Sequence, residues 1–428
     1  MERQARTILW RADPAQAREL ELTAFMQKPR VLHVLAINGV GGVESIFVDY
    51  LTRSDPAGAE QHVLVTHGRC HRFWRAKLES QSKSIRYANY WRGIKVPSLG
   101  DLRRRHIFRE ISAVRPDVVV IWNALGEMDL ADAAARAPAV YIELGAAWGN
   151  PPEADVGRFL GKMTRVIGNS YASRRMLELR WKAESKKNVV LLNPVRSDLA
   201  EGGFEEHRRG TRTPLRLGII GRMVAFKGFP LAFHALAHLL RDGIACDLHV
   251  AGQGRDEAAL KELARKLSLE DHIRFLGSFA NPAAFYREID VFLCPSIREP
   301  FGNVAIEAAY AGCPVVAAAV DGLPEVVQHE RTGLCIQPTL PISDYPQFGG
   351  SPEQCPAWVY DPVKDALQQP RLLDPRAIAQ AVKSIINPPE RWRAMSDAAR
   401  ERALRDFRMD DFALRLNQQF LDVCRHGD

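Results

Sequence analysis

The feature that most constrains this chain is a rhythm of short, uninterrupted apolar runs, each followed by apolar residues at helical spacing, and the rhythm occurs twice. The first series opens with RVLHVLAI (30–37), closed by NGVGG and followed by VESIFVDYLTR, which reads strand, glycine turn, helix. Strand candidates follow at QHVLVTHG, PDVVVIWNA, AVYIELG, RVIGNS and NVVLLNPV, with DLRRRHIFREISAVR among the helices between them. Strands that are apolar throughout, rather than on alternate residues, belong in a parallel sheet covered by helices on both faces. Residues 30–198 therefore predict a doubly wound α/β domain.

A polar, glycine-bearing stretch at 199–214 reads as a connector. A second series then runs through LRLGIIG, CDLHVAG, IRFLG, VFLCPS and PVVAAAV, with helices at KGFPLAFHALAHLLRDG, GRDEAALKELARKLSL, AAFYREI and VAIEAAYAG. It predicts a second doubly wound domain over 215–390 that faces the first. Within it, 337–374 is rich in Pro, Gln and Asp and too long for an ordinary loop, so it reads as an insertion. Residues 391–428 are helical and are expected to pack back over the domains, and 1–29 form a polar lead-in.

At 46% hydrophobic and 25% charged residues, disordered, collagen-like and coiled-coil readings fail. The seven cysteines are scattered, with no Cys-x-x-Cys and no zinc spacing, which points to neither a disulfide framework nor a metal site and suggests a reducing cytosol. The charged start lacks a signal peptide's apolar stretch, and no run approaches the roughly 18 residues of a membrane span. Residues 1–198 hold 31 Lys and Arg against 21 Asp and Glu, so the front half is the basic half. That asymmetry speaks to association, and no nucleic-acid recognition motif accompanies it.

The chemistry concentrates in REPFGNVAIEAAYAGCPVV. Glu299 and Glu307 flank a helix start set by Pro300, Phe301 and Gly302, and eight helical steps would separate the carboxylates by ~12 Å. Backbone N–H groups of Gly302, Asn303 and Val304 would be open to an anion there. GRMVAFKG puts Arg222 and Lys227 beyond a strand end, at the carboxyl edge of a parallel sheet, where two cations can neutralise a diphosphate. NGVGGVE places Gly41 and Gly42 at the first strand-to-helix turn of the other domain, where backbone can approach a ligand closely. Carboxylates at two points and an anion seat between them fit an elongated ligand such as a sugar nucleotide.

These residues resemble the retaining, nucleotide-sugar-dependent glycosyltransferases of the large GT-B group (group 1, family 4 type), which includes bacterial polysaccharide mannosyl- and glucosyltransferases. The resemblance spans nearly the whole chain. It is closest through GRMVAFKG, HVAGQG, RFLGSF, DVFLCPS, EPFGNVAIEAAYAGCPVV and DGLPEVV. It implies two facing Rossmann-like domains, Glu307 on the ribose hydroxyls, Glu299 on the transferred sugar, and Arg222 with Lys227 on the departing diphosphate. Ser278 and Phe279 lie where the family often holds the base. No cofactor or divalent metal is implied beyond the nucleoside-diphosphate sugar itself, in keeping with the lack of any Asp-x-Asp. The partners implied are a saccharide or lipid-linked acceptor and an anionic membrane surface at the cytoplasmic face, in cell-surface polysaccharide assembly.

One departure stands out. Where the family often carries a histidine, this chain reads VYIELGAAWG, so Leu144 takes that place and Glu143 becomes the candidate sugar contact. A sugar-nucleotide epimerase and a non-catalytic sugar-nucleotide-binding subunit are the competing readings. Elsewhere plainer roles compete with functional ones. Glu44 suits a helix N-terminus, and Arg103, Arg104 and Arg105 suit a solvated face or anionic lipid. His33, His62, His67 and His71 have no ligand spacing, and Trp91 and Trp148 suit packing or sugar stacking.

Overall fold

The structure, a computed structural model, describes residues 28–54, 58–91, 93–96, 100–201, 210–278 and 282–425. Nearly all of the 1–29 lead-in and residues 202–209 of the connector lie outside that set. Seven strands build the first sheet: β1 (Arg30–Leu35), β2 (Glu60–Val65), β3 (Ser84–Tyr87), β4 (Val118–Trp122), β5 (Ala139–Glu143), β6 (Arg165–Gly168) and β7 (Asn188–Val190). All pair in parallel, in the order β3-β2-β1-β4-β5-β6-β7. β4 is apolar throughout, and β5 up to its last residue, Glu143, because helices cover both faces: all five residues of each are buried.

The second sheet repeats the plan with β8 (Leu215–Ile220), β9 (Cys246–Ala251), β10 (Ile273–Gly277), β11 (Val291–Cys294), β12 (Val315–Ala318) and β13 (Gly333–Ile336). Its order is β10-β9-β8-β11-β12-β13, again parallel. Strand order reverses between β1 and β4 in one sheet and between β8 and β11 in the other. Such switch points open a crevice at the carboxyl ends of the strands. Two strands of these two sheets were not expected from sequence. The four residues of β3 alternate in polarity at the sheet edge, and β13 holds only Gly-Leu-Cys-Ile.

The histidine question resolves in the core for His33. Its Nε2 lies 2.7 Å from Gln61 Oε1, and the Trp122 indole donates to its Nδ1 at 3.1 Å. Burial lowers its pKa to about 4, so the ring is neutral.

The C-terminal helices divide between the domains. The helix Pro389–Asp406 packs on the second domain, with Trp392 buried and its indole donating to the Asp290 carbonyl at 2.8 Å. The helix Met409–Arg425 crosses to the first domain. Its buried Met409, Phe412, Ala413, Leu416, Phe420 and Val423 follow helical spacing and join a core cluster with Ile46, Tyr50 and Trp122. Tyr50 Oη donates to Asn417 Oδ1 at 2.6 Å, and Arg165 Nη1 to Gln419 Oε1 at 2.8 Å.

Residues 337–374 are folded. Leu340–Pro341 pairs antiparallel with Arg371–Leu372, and Val359–Asp361 with Ala366–Gln368. Tyr345 is buried and donates to the Ala225 carbonyl at 2.6 Å. The second hairpin reaches the first domain, where Tyr360 and Leu367 pack into its core and Arg175 pairs with Asp365 at 2.7 Å.

The crossing helix should carry much of the first domain's stability. Phe420→Ala is expected to cost about 3–5 kcal/mol. Leu414→Ala, on the exposed face of the same helix, should stay within about 0.5 kcal/mol. Denaturant unfolding followed by far-UV circular dichroism checks both; equal costs would mean the helix is only laid against the domain.

Candidate functional site

The two crevices face each other and merge into one cleft of about 510 Å³ between the domains. From the first domain, Gly41 and Gly42 line it at the turn after β1, just ahead of the helix Gly42–Arg53. A Cβ on Gly42 would lie 3.0 Å from Asn303 Nδ2 of the other domain, so a side chain here would crowd the opposite wall. From the second domain, Arg222 and Lys227 line the cleft beyond β8, and Ser278 beyond β10. Phe279 lies outside the described residues.

The 299–310 segment supplies the opposite wall. Only Asn303–Tyr310 is helical, so the glutamates are not separated by eight helical steps: Glu307 sits just over one turn inside the helix, and residues 299–302 precede it outside the helix. Gly302 there adopts φ 112°, a left-handed conformation that favours glycine, and a Cβ would also press on Leu323 Cδ2 at 2.8 Å. Phe301, Gly302, Asn303 and Val304 all line the cleft. As the first two helical residues, Asn303 and Val304 have no carbonyl one turn back within the helix, which leaves their N–H groups available to an anion.

Both glutamates line the cleft and are held differently. Glu299 Oε2 accepts from Lys227 Nζ at 2.5 Å and from Ser296 Oγ at 3.2 Å, while its backbone N–H donates to Asp321 Oδ2 at 2.9 Å. Glu307 is buried against Tyr286, whose hydroxyl donates to it at 2.9 Å. Burial pushes its carboxyl up to about 7, although the charge of Arg196 favours the ionised form.

Glu143 is placed differently from the sequence expectation. It is fully buried beneath the cleft, where one oxygen accepts from the N–H groups of Gly145 at 2.5 Å and Ala147 at 3.0 Å and the other from Tyr141 Oη at 2.6 Å. It shapes the loop after β5, and it is Leu144 that lines the cleft. Trp148 is also buried, with its indole committed to Asp321 Oδ1 at 3.0 Å, whereas Trp91 is half-exposed beneath the Arg109 guanidinium.

Among the lining residues not singled out by sequence, three make contacts that shape the cleft. Arg298 donates to the Gly145 carbonyl across the cleft and stacks over Trp148 and Phe226. Arg196 faces Glu307 and pairs with Asp198 at 2.7 Å. Asn193 donates to Asn303 Oδ1 at 2.9 Å. Arg298 precedes Glu299 in the chain, but nothing in a single arginine's neighbours tells which carbonyl it will reach. The other two follow β7, at a carboxyl edge where the fold alone could have nominated them.

The domains are clasped beside the cleft by buried polar groups. Ser170 Oγ donates to the Pro300 carbonyl at 2.6 Å. Glu325 accepts from the N–H groups of Tyr171 and Ala172, at the start of the helix Tyr171–Trp181, at 2.8 Å each. Burial pushes the carboxyls of Glu325 and Asp321 up to about 7, outweighing those hydrogen bonds.

Residues 205–343 match the family model for glycosyl transferases group 1. Over 311 residues the chain is 28% identical to the lipopolysaccharide core biosynthesis glycosyltransferase LpsD of Rhizobium meliloti, covering 72% of this chain and 83% of that protein. A D-inositol 3-phosphate glycosyltransferase of Mycobacteroides abscessus is 39% identical over 190 residues, a match spanning 41% of this chain and 43% of the relative. Among solved structures, Anabaena Alr3699/HepE in complex with UDP and glucose superposes with a TM-score of 0.67 at 18% identity, covering 92% of this chain and all of that one. WaaG, a glycosyltransferase involved in lipopolysaccharide biosynthesis, gives 0.61 at 15%, covering 91% and 99%. The likeness to the solved structures concerns the fold, which is GT-B.

The raised carboxyl at Glu325 has a testable sign. A carboxyl with a raised folded-state pKa stabilises most below its unfolded value, near 4.5, and that contribution is lost as pH rises through about 7. Glu325→Gln keeps an acceptor that cannot ionise. Its melting temperature relative to the parent should therefore climb between pH 5.5 and 8, as read by differential scanning fluorimetry. A pH-independent difference would mean that Glu325 ionises as it does in water.

Proposed function

We propose that this chain, whose residues 205–343 carry a glycosyltransferase group 1 domain, is a retaining hexosyltransferase that moves a sugar from a nucleoside-diphosphate sugar to a saccharide or lipid-linked acceptor in cell-surface polysaccharide synthesis. The observation that carries this reading is the Lys227–Glu299 pair at the mouth of an interdomain cleft, opposite the open start of the helix Asn303–Tyr310. Cations and backbone donors stand where a diphosphate would lie, with a carboxylate on either side for hydroxyl groups. The name of LpsD and the UDP and glucose bound to HepE support a lipopolysaccharide setting and a uridine nucleotide.

In this reading the anomeric C–O bond breaks and the β-phosphate oxygen takes the electron pair. Arg222, Lys227 and the N–H groups of Asn303 and Val304 stabilise the growing negative charge, the kind of preorganised electrostatics that contributes most to such steps. The acceptor hydroxyl attacks from the same face, so configuration is retained, and the leaving phosphate accepts its proton. Glu299 orients the transferred sugar and Glu307 binds the ribose hydroxyls. Because protein cations supply the charge, turnover should persist in excess EDTA; a loss restored by Mg²⁺ or Mn²⁺ would transfer that role to a metal.

No helix among the described residues is long and apolar enough to cross a membrane. A peripheral seat at the inner face of the cytoplasmic membrane is supported by the helix Gly100–Val114, which carries Arg103, Arg104 and Arg105 beside the half-exposed Leu102.

Calorimetry against UDP-, GDP- and ADP-sugars without metal tests the donor site. UDP-sugar binding is expected, with losses of tenfold or more in both Lys227→Ala and Glu307→Ala, since each removes a charged or buried hydrogen-bonding partner. Binding that survives both substitutions would refute the site. Binding without sugar transfer to any acceptor would favour the donor-binding subunit, the reading that Leu144 in the cleft wall invites. Affinity should also rise from pH 6 to 8, because ribose hydroxyls donate to the ionised form of Glu307 and so favour its deprotonation. Glu307→Gln should flatten that profile.

A further inference from the structure

A second cavity, of about 460 Å³, opens on the first domain and shares no lining residue with the cleft. It wraps the outer edge of β3, between the helices Arg72–Gln81 and Gly100–Val114. Arg69, Arg75 and Arg86 line it, and Glu110 is the one carboxylate in the lining. That carboxylate is already shared, since it accepts from Arg86 at 2.9 Å and from Arg109 at 3.0 Å. Arg75 pairs outside the cavity with Glu79 at 2.8 Å. Arg69 donates to the Gly93 carbonyl at 3.2 Å and stacks over Tyr90 at 4.9 Å, with no carboxylate partner among the described residues. Tyr87 and Tyr90 meet edge to face at 6.3 Å and form the wall.

Guanidinium groups in excess over carboxylates, set against aromatic walls, are the chemistry that seats a planar or tetrahedral anion together with the apolar face of its carrier. The position is equally telling. In the order β3-β2-β1, the turn after β1 lines the cleft while the turns after β2 and β3 line this cavity, all at the carboxyl edge of one sheet. Two strand spacings separate them, about 10 Å. The segments are also tied together. Trp74, beside Arg75, donates its indole N–H to the Gly39 carbonyl at 2.9 Å, and the His71 N–H donates to the Ile37 carbonyl at 2.8 Å. A molecule lying along this edge would have one end in the cleft and the other among the arginines.

We propose that this cavity is an acceptor subsite that seats an anionic group, a phosphate or a uronic carboxylate, carried by the acceptor saccharide a short distance from the hydroxyl that is glycosylated. The proposal rests on the glycosyltransferase reading above and assigns it an acceptor class. Arg69 and Arg86 supply the charge-assisted hydrogen bonds, and Tyr90 supplies the face for a sugar ring.

The test is calorimetry on the full chain with glucose 6-phosphate, glucuronate, glucose and inorganic phosphate, beside a UDP-sugar as a separate titration. Glucose 6-phosphate or glucuronate is expected to bind and glucose not to. The double variant Arg69→Gln/Arg86→Gln should weaken that binding at least tenfold while leaving UDP-sugar affinity within twofold, which also shows that the variant is folded. Tyr90→Ala should weaken the sugar phosphate more than inorganic phosphate. Unchanged sugar-phosphate affinity in the double variant, or competition between glucose 6-phosphate and the UDP-sugar, would overturn the subsite. Inorganic phosphate binding as tightly as glucose 6-phosphate would overturn the saccharide part. Arginine-dependent sugar-phosphate binding without any UDP-sugar binding would instead remove the donor reading, and with it the acceptor role.

Discussion

A single buried carboxylate, Asp321, holds together three parts that the cleft cannot do without. It accepts from the Glu299 N–H, from the Tyr360 N–H of the hairpin in the 337–374 segment, and from the Trp148 indole of the opposite domain. One side chain thus fixes where Glu299 points, anchors the hairpin that Arg175 grips, and joins both domains behind the site. Burying a carboxylate is costly, and Asp321 shows it in a pKa pushed up to about 7. The hydrogen bonds and the nearby Arg298 charge offset the cost only in this arrangement, so the domains, the hairpin and the glutamate are specified together.

The cleft uses charge in the reverse sense. Lys227 and Glu299 neutralise each other, which holds both side chains in place. In the proposed reading a diphosphate would replace the Glu299 carboxylate as the partner of Lys227, so little side-chain ordering would remain to be done on binding. Glu307 is prepared by a different route. It is partly protonated near neutrality, and its readiness is set by Arg196 and Tyr286, which lie far from it in sequence.

Much of this was legible in the sequence. The parallel sheets follow from unbroken apolar strands such as VVVIW, and a helix start close to Pro300, Phe301 and Gly302 was read correctly, although the helix itself begins only at Asn303. The edge strand β3 was not legible, because SIRY carries neither a continuous nor a long alternating signal. Glu143 was nominated as the sugar contact because it neighbours Leu144, which takes the place of the family's histidine; the structure turns it inward, where the N–H groups of Gly145 and Ala147 and the Tyr141 hydroxyl donate to it. Arg298 and the Glu325 clasp were invisible for a common reason. Each acts on a partner more than a hundred residues away, and local pattern carries no information about which surfaces will meet.

The polypeptide passes between the domains twice, once after β7 and again between Asp406 and Met409, and the two passages touch: the Val195 N–H donates to the Phe407 carbonyl at 2.8 Å. The covalent links between the domains are thus gathered into one pair of adjacent segments, while the contacts of Ser170, Trp148 and Glu325 join the domains elsewhere. The carboxyls of Asp321 and Glu325, both pushed up to about 7 by burial, are among those contacts, so the groups that join the domains are also groups that exchange protons near neutrality.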